Sequence, residues 1–160
     1  MTHWRMQLHP ADPRWAGHHA VHSLAAGFIG LDFENDVGDL TRASQSSLPP
    51  GQRDYWAFAH EMQAGDRVLI VLHHFPFALA TVKGDYNYIR TPEPEIGVWF
   101  RHFRRIDRAG LRYFADRVTN AREWEPIKMT DTISPLRNPA TRSYRLIEEW
   151  TESEASQSAR

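Results

Sequence analysis

The order of apolar patterns along this chain predicts a small α+β domain, with strands through the middle and helices at the flanks, arranged as a small β-barrel. Three observations carry that prediction. Residues 67–72 and 77–83 are two apolar runs joined by a short connection, which reads as a buried hairpin. Residues 3–9 alternate Trp4, Met6 and Leu8 against Arg5 and Gln7, the period of a strand. Tyr55, Phe58, Ala59 and Met62 fall at i, i+3, i+4 and i+7, the period of a helix face, just ahead of the hairpin.

The elements follow in order. Pro10 and Pro13 end the first strand. Residues 14–26 are small and His-rich and predict a short helix. Residues 27–31 read as a second, buried strand, followed by an acidic loop over 32–39. Residues 44–51 form a polar linker that ends in Pro49-Pro50-Gly51. A helix starts at Gln52 and stops at Gly65, and Asp66 opens the next strand. The hairpin connection is placed at His73 to Pro76. Residues 90–96 are a Pro- and Glu-rich loop, and 98–106 are another strand. A short helix is expected over 109–117. Residues 124–127 suit a brief edge strand, because Pro126 does not fit a central one. Asn138-Pro139 marks a helix start, with Tyr144, Ile147 and Trp150 on one face. Residues 1–150 are thus one domain, and 151–160 are expected to be a disordered polar tail.

Composition excludes several function classes. The 160 residues suit one domain that buries about two thirds of its unfolded surface. There is no cysteine, so disulfides, thiol catalysis and Cys-ligated zinc are excluded. No apolar run is long enough for a membrane helix, and the first residues lack a signal-peptide core, so a cytoplasmic location is expected. The net charge of −1 provides no global attraction to nucleic acid. The basic residues are nevertheless skewed to arginine, and Arg101, Arg104, Arg105, Arg108 and Arg112 cluster.

Patterns that could carry chemistry are weak. His18 and His22 have helical metal spacing, but no carboxylate pattern accompanies them, and a surface histidine cluster is the expected reading. His60-Glu61 lacks the second histidine of a zinc-protease motif. The acidic loop fails as a calcium loop at Val37 and Ala43. No nucleophile elbow and no phosphate-binding glycine loop is present. Neither a catalytic group nor a cofactor or metal is therefore expected.

A family resemblance rests on specific stretches. They are His3-Trp4-Arg5-Met6, then residues 27–33 (Gly-Phe-Ile-Gly-Leu-Asp-Phe), and residues 58–68, which run from Phe58 through Gly65-Asp66 to Val68. Gly84-Asp85-Tyr86-Asn87-Tyr88 and residues 99–106 complete the set. Over roughly residues 3–150 the chain resembles the EVE and YTH branch of the PUA-like superfamily. It is most similar to the EVE-like recognition domains attached to modification-dependent restriction systems. The resemblance implies a PUA-like pseudo-barrel that holds a modified base in an aromatic cage and does no chemistry on it. Members often place Trp where this chain has Phe33, and they are commonly fused to a nuclease or a nucleoside triphosphatase, which implies such a partner here.

A reader of that kind must flip its base out of the duplex, at a cost of a few kcal/mol. Stacking returns about 1–3 kcal/mol per base. Carboxylates and amides then read the exposed edge. On this reading Phe33, Tyr86 and Tyr88 form the cage, and Asp32, Asp85 and Asn87 supply edge contacts. Lys83, Arg101, Arg104 and Arg105 are expected to contact phosphate. The expected ligand is DNA carrying 5-methylcytosine, 5-hydroxymethylcytosine or N6-methyladenine. A reader of modified RNA is the alternative, and a nucleotide-acting enzyme a more distant one.

Overall fold

The computed structural model describes residues 1–8, 13–116 and 126–159. Strand β1 (His3–Met6) lies parallel to β3 (Arg67–Leu72), with Trp4 opposite Val68 and Met6 opposite Ile70. β3 folds back into β4 (Phe75–Thr81) through His73 and His74, which both have positive φ, at 48° and 68°. Two consecutive left-handed residues give the twist a tight hairpin needs. The connection is therefore shorter than expected, and β4 starts two residues earlier. β8 (Ile133–Leu136) pairs on the free side of β1, and β7 (Arg112–Tyr113) pairs on the free side of β4. The order across this five-stranded sheet is β7-β4-β3-β1-β8.

A second sheet runs β2-β6-β5, from β2 (Phe28–Leu31), β6 (His102–Arg105) and β5 (Asn87–Tyr88). The sheets meet at a seam where Val82 bridges Ile106 and the Lys83 and Gly84 N–H groups donate to the Arg105 carbonyl. Both sheets keep unpaired edges, so among the described residues the expected barrel is not closed. The architecture is α+β, with two sheets and the helices α1 (Ala16–Ala26), α2 (Arg53–Trp56) and α3 (Arg142–Ser158). No helix among the described residues is long and apolar enough to cross a membrane.

The continuous apolar run of β3 reflects burial on both faces. Val68 and Ile70 join Trp4, Met6, Ala78 and Ala80 in the core between the sheets. Leu69 and Val71 face the other way, under Ile147 and Trp150 of α3. The buried carboxylate of Asp66 anchors the start of this arrangement. It accepts from the Trp4 indole at 2.8 Å, the Thr2 N–H at 2.7 Å and the Gln63 N–H at 2.9 Å.

Several expected boundaries are corrected. Residues 109–116 are not helical: β7 is followed by a 3₁₀ turn, because the β4 edge captures Arg112 and Tyr113. The strand expected over 98–106 is confined to β6. The edge strand expected at 124–127 falls partly outside the described residues, and Pro126 and Ile127 are not in a strand. Helix α3 is capped by Thr141, whose hydroxyl accepts from the Tyr144 N–H, while Asn138 closes a turn with the Ala140 N–H. The helix continues through 151–158, the stretch expected as a tail. Glu154 pairs there with Arg112, and the Thr151, Ser153 and Ser156 hydroxyls donate to carbonyls within the helix.

Helix α2 widens into a π-turn over Ala57–Glu61, closed by the Met62 N–H on the Ala57 carbonyl at 2.9 Å. Its carbonyls are collected by one side chain. The Arg104 guanidinium, with the residue 4% exposed, donates to the carbonyls of Phe58, Ala59, Met62 and Gly84 at 2.8–3.1 Å. Arg104→Met should lower unfolding stability by on the order of 3 kcal/mol, because buried carbonyls are stripped of donors. Urea denaturation of the two proteins checks this, and an unchanged midpoint would contradict it.

Candidate functional site

Aromatic side chains from four separate segments meet above β6. His102 lies at the centre, fully buried, since it shares the inward parity of Arg104 on that strand. Tyr55 of α2 packs on it at 4.4 Å between ring centroids, Tyr88 of β5 at 5.2 Å and Tyr86 at 5.8 Å. Phe33, just past β2, meets the Tyr55 ring edge-on at 4.9 Å. The three rings expected to form a cage are thus brought together. Each is half-buried, while Tyr55 and His102 form a buried backing. Sequence reading placed Tyr55 on a core-facing helix and gave His102 no role. The one signal for His102 was its alternation with Arg104.

Polar bonds fix the cluster. The Tyr86 hydroxyl accepts from the Leu40 N–H at 3.2 Å and lies 2.7 Å from His102 Nδ1. A neutral imidazole holds this bond in either tautomer, since the hydroxyl can donate to Nδ1 or accept from it. Nε2 is buried and has no partner. Burial pulls the His102 pKa down to about 4, against the opposing pull of Asp32 and Asp36. Burial likewise pushes Tyr55 up to about 12 and Tyr86 upward. The Tyr88 hydroxyl donates to the Asp36 carboxylate at 2.8 and 2.9 Å. Burial alone would raise Asp36, but bonds from the Gly38 N–H and Tyr88, together with Arg101, hold it below its usual value.

The expected polar contacts are distributed differently. Asp32 is buried, and its carboxylate accepts from the Arg101 N–H at 3.1 Å and Nε at 2.7 Å. Arg101 also donates to the Phe33 carbonyl at 2.6 Å and lies 3.4 Å from Asp36. The bond to Asp32 raises the Arg101 pKa further. Asp32 and Arg101, expected to read a base edge and a phosphate, are therefore committed to each other. Arg104, expected at a phosphate, is buried against carbonyls. Asn87 pairs in register with Phe103, whereas Tyr88 pairs with His102. Alternation thus turns Asn87 away from the ring cluster, and its amide donates to the Asp85 carbonyl at 3.0 Å. Asp85 is exposed. Asp36, unassigned from sequence, is the carboxylate that meets a cage ring.

Lys83 and Arg105 are exposed and lie together. With Arg108 they line a cleft of about 710 Å³ at the seam between the sheets. The histidines of α1 surround Trp99 instead of a metal: His22 Nδ1 accepts from its indole at 2.7 Å, and His19 stacks on it at 4.2 Å. Among the described residues no group of His, Asp or Glu is placed to hold a metal ion. No protein-family model and no curated protein matches this chain.

The depressed His102 pKa sets a pH dependence. The unfolded state binds this proton near 6.5 and the folded state near 4, so the unfolded chain carries more protons between those values. The contribution is fully present above pH 6.5 and is lost as pH falls toward 4. It amounts to on the order of 3 kcal/mol. Denaturation midpoints measured across this window should fall with acidity, and His102→Gln should flatten the slope. An identical slope in the variant would contradict the assignment.

Proposed function

We propose that this domain recognises nucleic acid by stacking one extruded, modified base against the Phe33, Tyr86 and Tyr88 rings. DNA bearing a methylated or hydroxymethylated cytosine, or a methylated adenine, is its ligand. The fold is then of the PUA-like, EVE or YTH kind, and the domain is the specificity module of a modification-dependent system. It performs no chemistry, and a nuclease or nucleoside triphosphatase partner does the cutting.

The observation that carries this reading is the meeting of rings from separate segments around one buried, neutral imidazole. A core packed only for stability has no need of three tyrosines packed around one histidine, with Tyr86 bonded to it and Tyr88 bonded to Asp36, at a half-exposed edge. Flat half-buried rings can repay the cost of flipping a base. The Asp36 carboxylate, bonded to Tyr88, is an acceptor placed for an exocyclic amine. Lys83, Arg105 and Arg108 at the sheet seam supply the phosphate contacts that fix position without reading sequence.

A panel of duplexes and single strands, in DNA and RNA, that differ only in one modified base tests the proposal. The modified DNA should bind more tightly than its unmodified twin. Phe33→Ala and Tyr88→Ala should each reduce that affinity about tenfold, the equivalent of one lost stacking contact. Equal affinity across the panel, with both variants silent, would refute base recognition, and preference for the RNA arm would reassign the ligand. Replacing Lys83 and Arg105 by Ala should weaken every oligonucleotide alike. It should also reduce the slope of log affinity against log salt by about 1 per lost contact. A change in base preference would instead move these residues into the reading site.

A further inference from the structure

A second cleft, of about 790 Å³, opens between β8, the start of α2 and the N-terminal end of α3. Phe33 lines it, so it adjoins the ring cluster. Arg5, Arg53 and Arg137 also line it. We infer that this cleft is an anion site that holds the phosphodiester backbone of the strand whose base is read at the rings. Its ligand class rests on the proposed function.

Arg5 carries the argument. It sits half-buried on β1, facing α3. A guanidinium has five N–H donors, and the acceptor Arg5 reaches is the Ser143 hydroxyl, at 3.4 Å. Its Nε is buried without a partner. Arg101 and Arg104, also withdrawn from solvent, are each met by several acceptors. A donor left unmet in a protein interior is unfavourable and strongly favours any acceptor that reaches it. Arg53 and Arg137 are exposed, and among the described residues neither forms an ion pair.

The cleft also holds Asp54, Glu61 and Asp131, so its preference for an anion rests on which groups already have partners rather than on net charge. Asp54 is occupied by the Thr132 and Ile133 N–H groups at 2.9 and 3.3 Å. Glu61 and Asp131 are exposed, as are Arg53 and Arg137, so water screens both signs alike and the half-buried Arg5 decides. The planar fork of arginine matches a phosphate through paired bonds. Phe33 belongs to both the ring cluster and the lining of this cleft, so a nucleotide stacked on Phe33 has the cleft beside it.

The experiment measures anisotropy of a labelled oligonucleotide over a range of salt, with modified and unmodified versions of one sequence. The proteins are the wild type, the double variant Arg53→Ala with Arg137→Ala, and Arg5→Gln. The double variant changes exposed side chains only, so it tests the cleft even where Arg5→Gln disturbs folding. It should weaken both oligonucleotides about tenfold or more and lower the salt slope by between one and two. Unchanged affinity and slope in both variants, alongside an intact preference for the modified base, would overturn the cleft and leave base reading in place. Loss of binding to both oligonucleotides in the arginine variants, with no preference in the wild type and no effect of Phe33→Ala, would overturn base reading and leave the cleft. Absence of oligonucleotide binding by the wild type would overturn both.

Discussion

A guanidinium buried without a carboxylate fixes the geometry of the ring cluster. Removing Arg104 from water is unfavourable, and burial lowers its pKa, yet an arginine stays charged in any aqueous condition. The charge is tolerated because four carbonyl oxygens surround it. Three of them come from the π-turn and its exit and one from Gly84. A π-turn shifts the hydrogen-bond register and leaves carbonyls unpaired at its end. Arg104 is the donor that meets them. Its planar fork therefore locks α2, β6 and the Gly84 turn into one arrangement. Tyr55 is carried by the first of these, His102 by the second, and Tyr86 follows two residues after the third. The ring cluster is thus a consequence of where one cation found its acceptors.

The same logic divides the basic residues. Along β6 the alternation of a strand sends His102 and Arg104 inward and leaves Phe103 and Arg105 outward. Arg101, just before the strand, is drawn to the buried carboxylate of Asp32. A compositional cluster of arginines therefore splits into structural and surface members. Of that cluster it is the surface members that contribute to an external field, alongside other exposed cations such as Lys83, Arg53 and Arg137. A protein of near-zero net charge can then present local positive clefts, because part of its charge of both signs is neutralised inside.

Sequence alone revealed the parts of this fold that are set by local period. Residues 67–72 were legible to the residue, because an apolar run covered on both faces has a sharp beginning and end. β2 was legible to within one residue for the same reason, whereas β1 was legible from its alternation, which runs on beyond the strand's end at Met6. β8 was not, since Ile133-Ser134-Pro135-Leu136 lacks the usual strand residues and exists because the β1 edge offers it partners. β7 is two residues long and is likewise imposed from outside. The end of α3 was misjudged because polar residues suggest fraying, whereas the Glu154 pair with Arg112 supports the helix from another element. Of the residues proposed for the site, Phe33, Tyr86 and Tyr88 could be grouped from sequence because aromatics beyond strand ends face a common rim. The polar partners could not be, because alternation and pairing in space decide whether an Asp or Arg is spent internally. Asp32 and Arg101 are 69 residues apart and find each other only in the fold.

The way the cluster is satisfied also constrains how it can select a ligand. Tyr88 is bonded to Asp36, and Tyr86 to both Leu40 and His102, with no ligand present. A base that takes up these groups exchanges one hydrogen bond for another, and such exchanges are close to neutral. Affinity must then come chiefly from stacking on the half-buried rings and from phosphate contacts. Discrimination is different, because a base that displaces a bond without replacing it leaves a desolvated polar group, which is expensive. On the proposed reading, such an arrangement would bind flat aromatic ligands broadly and reject those with the wrong edge. That combination suits a site that must tolerate flanking sequence while distinguishing one chemical mark.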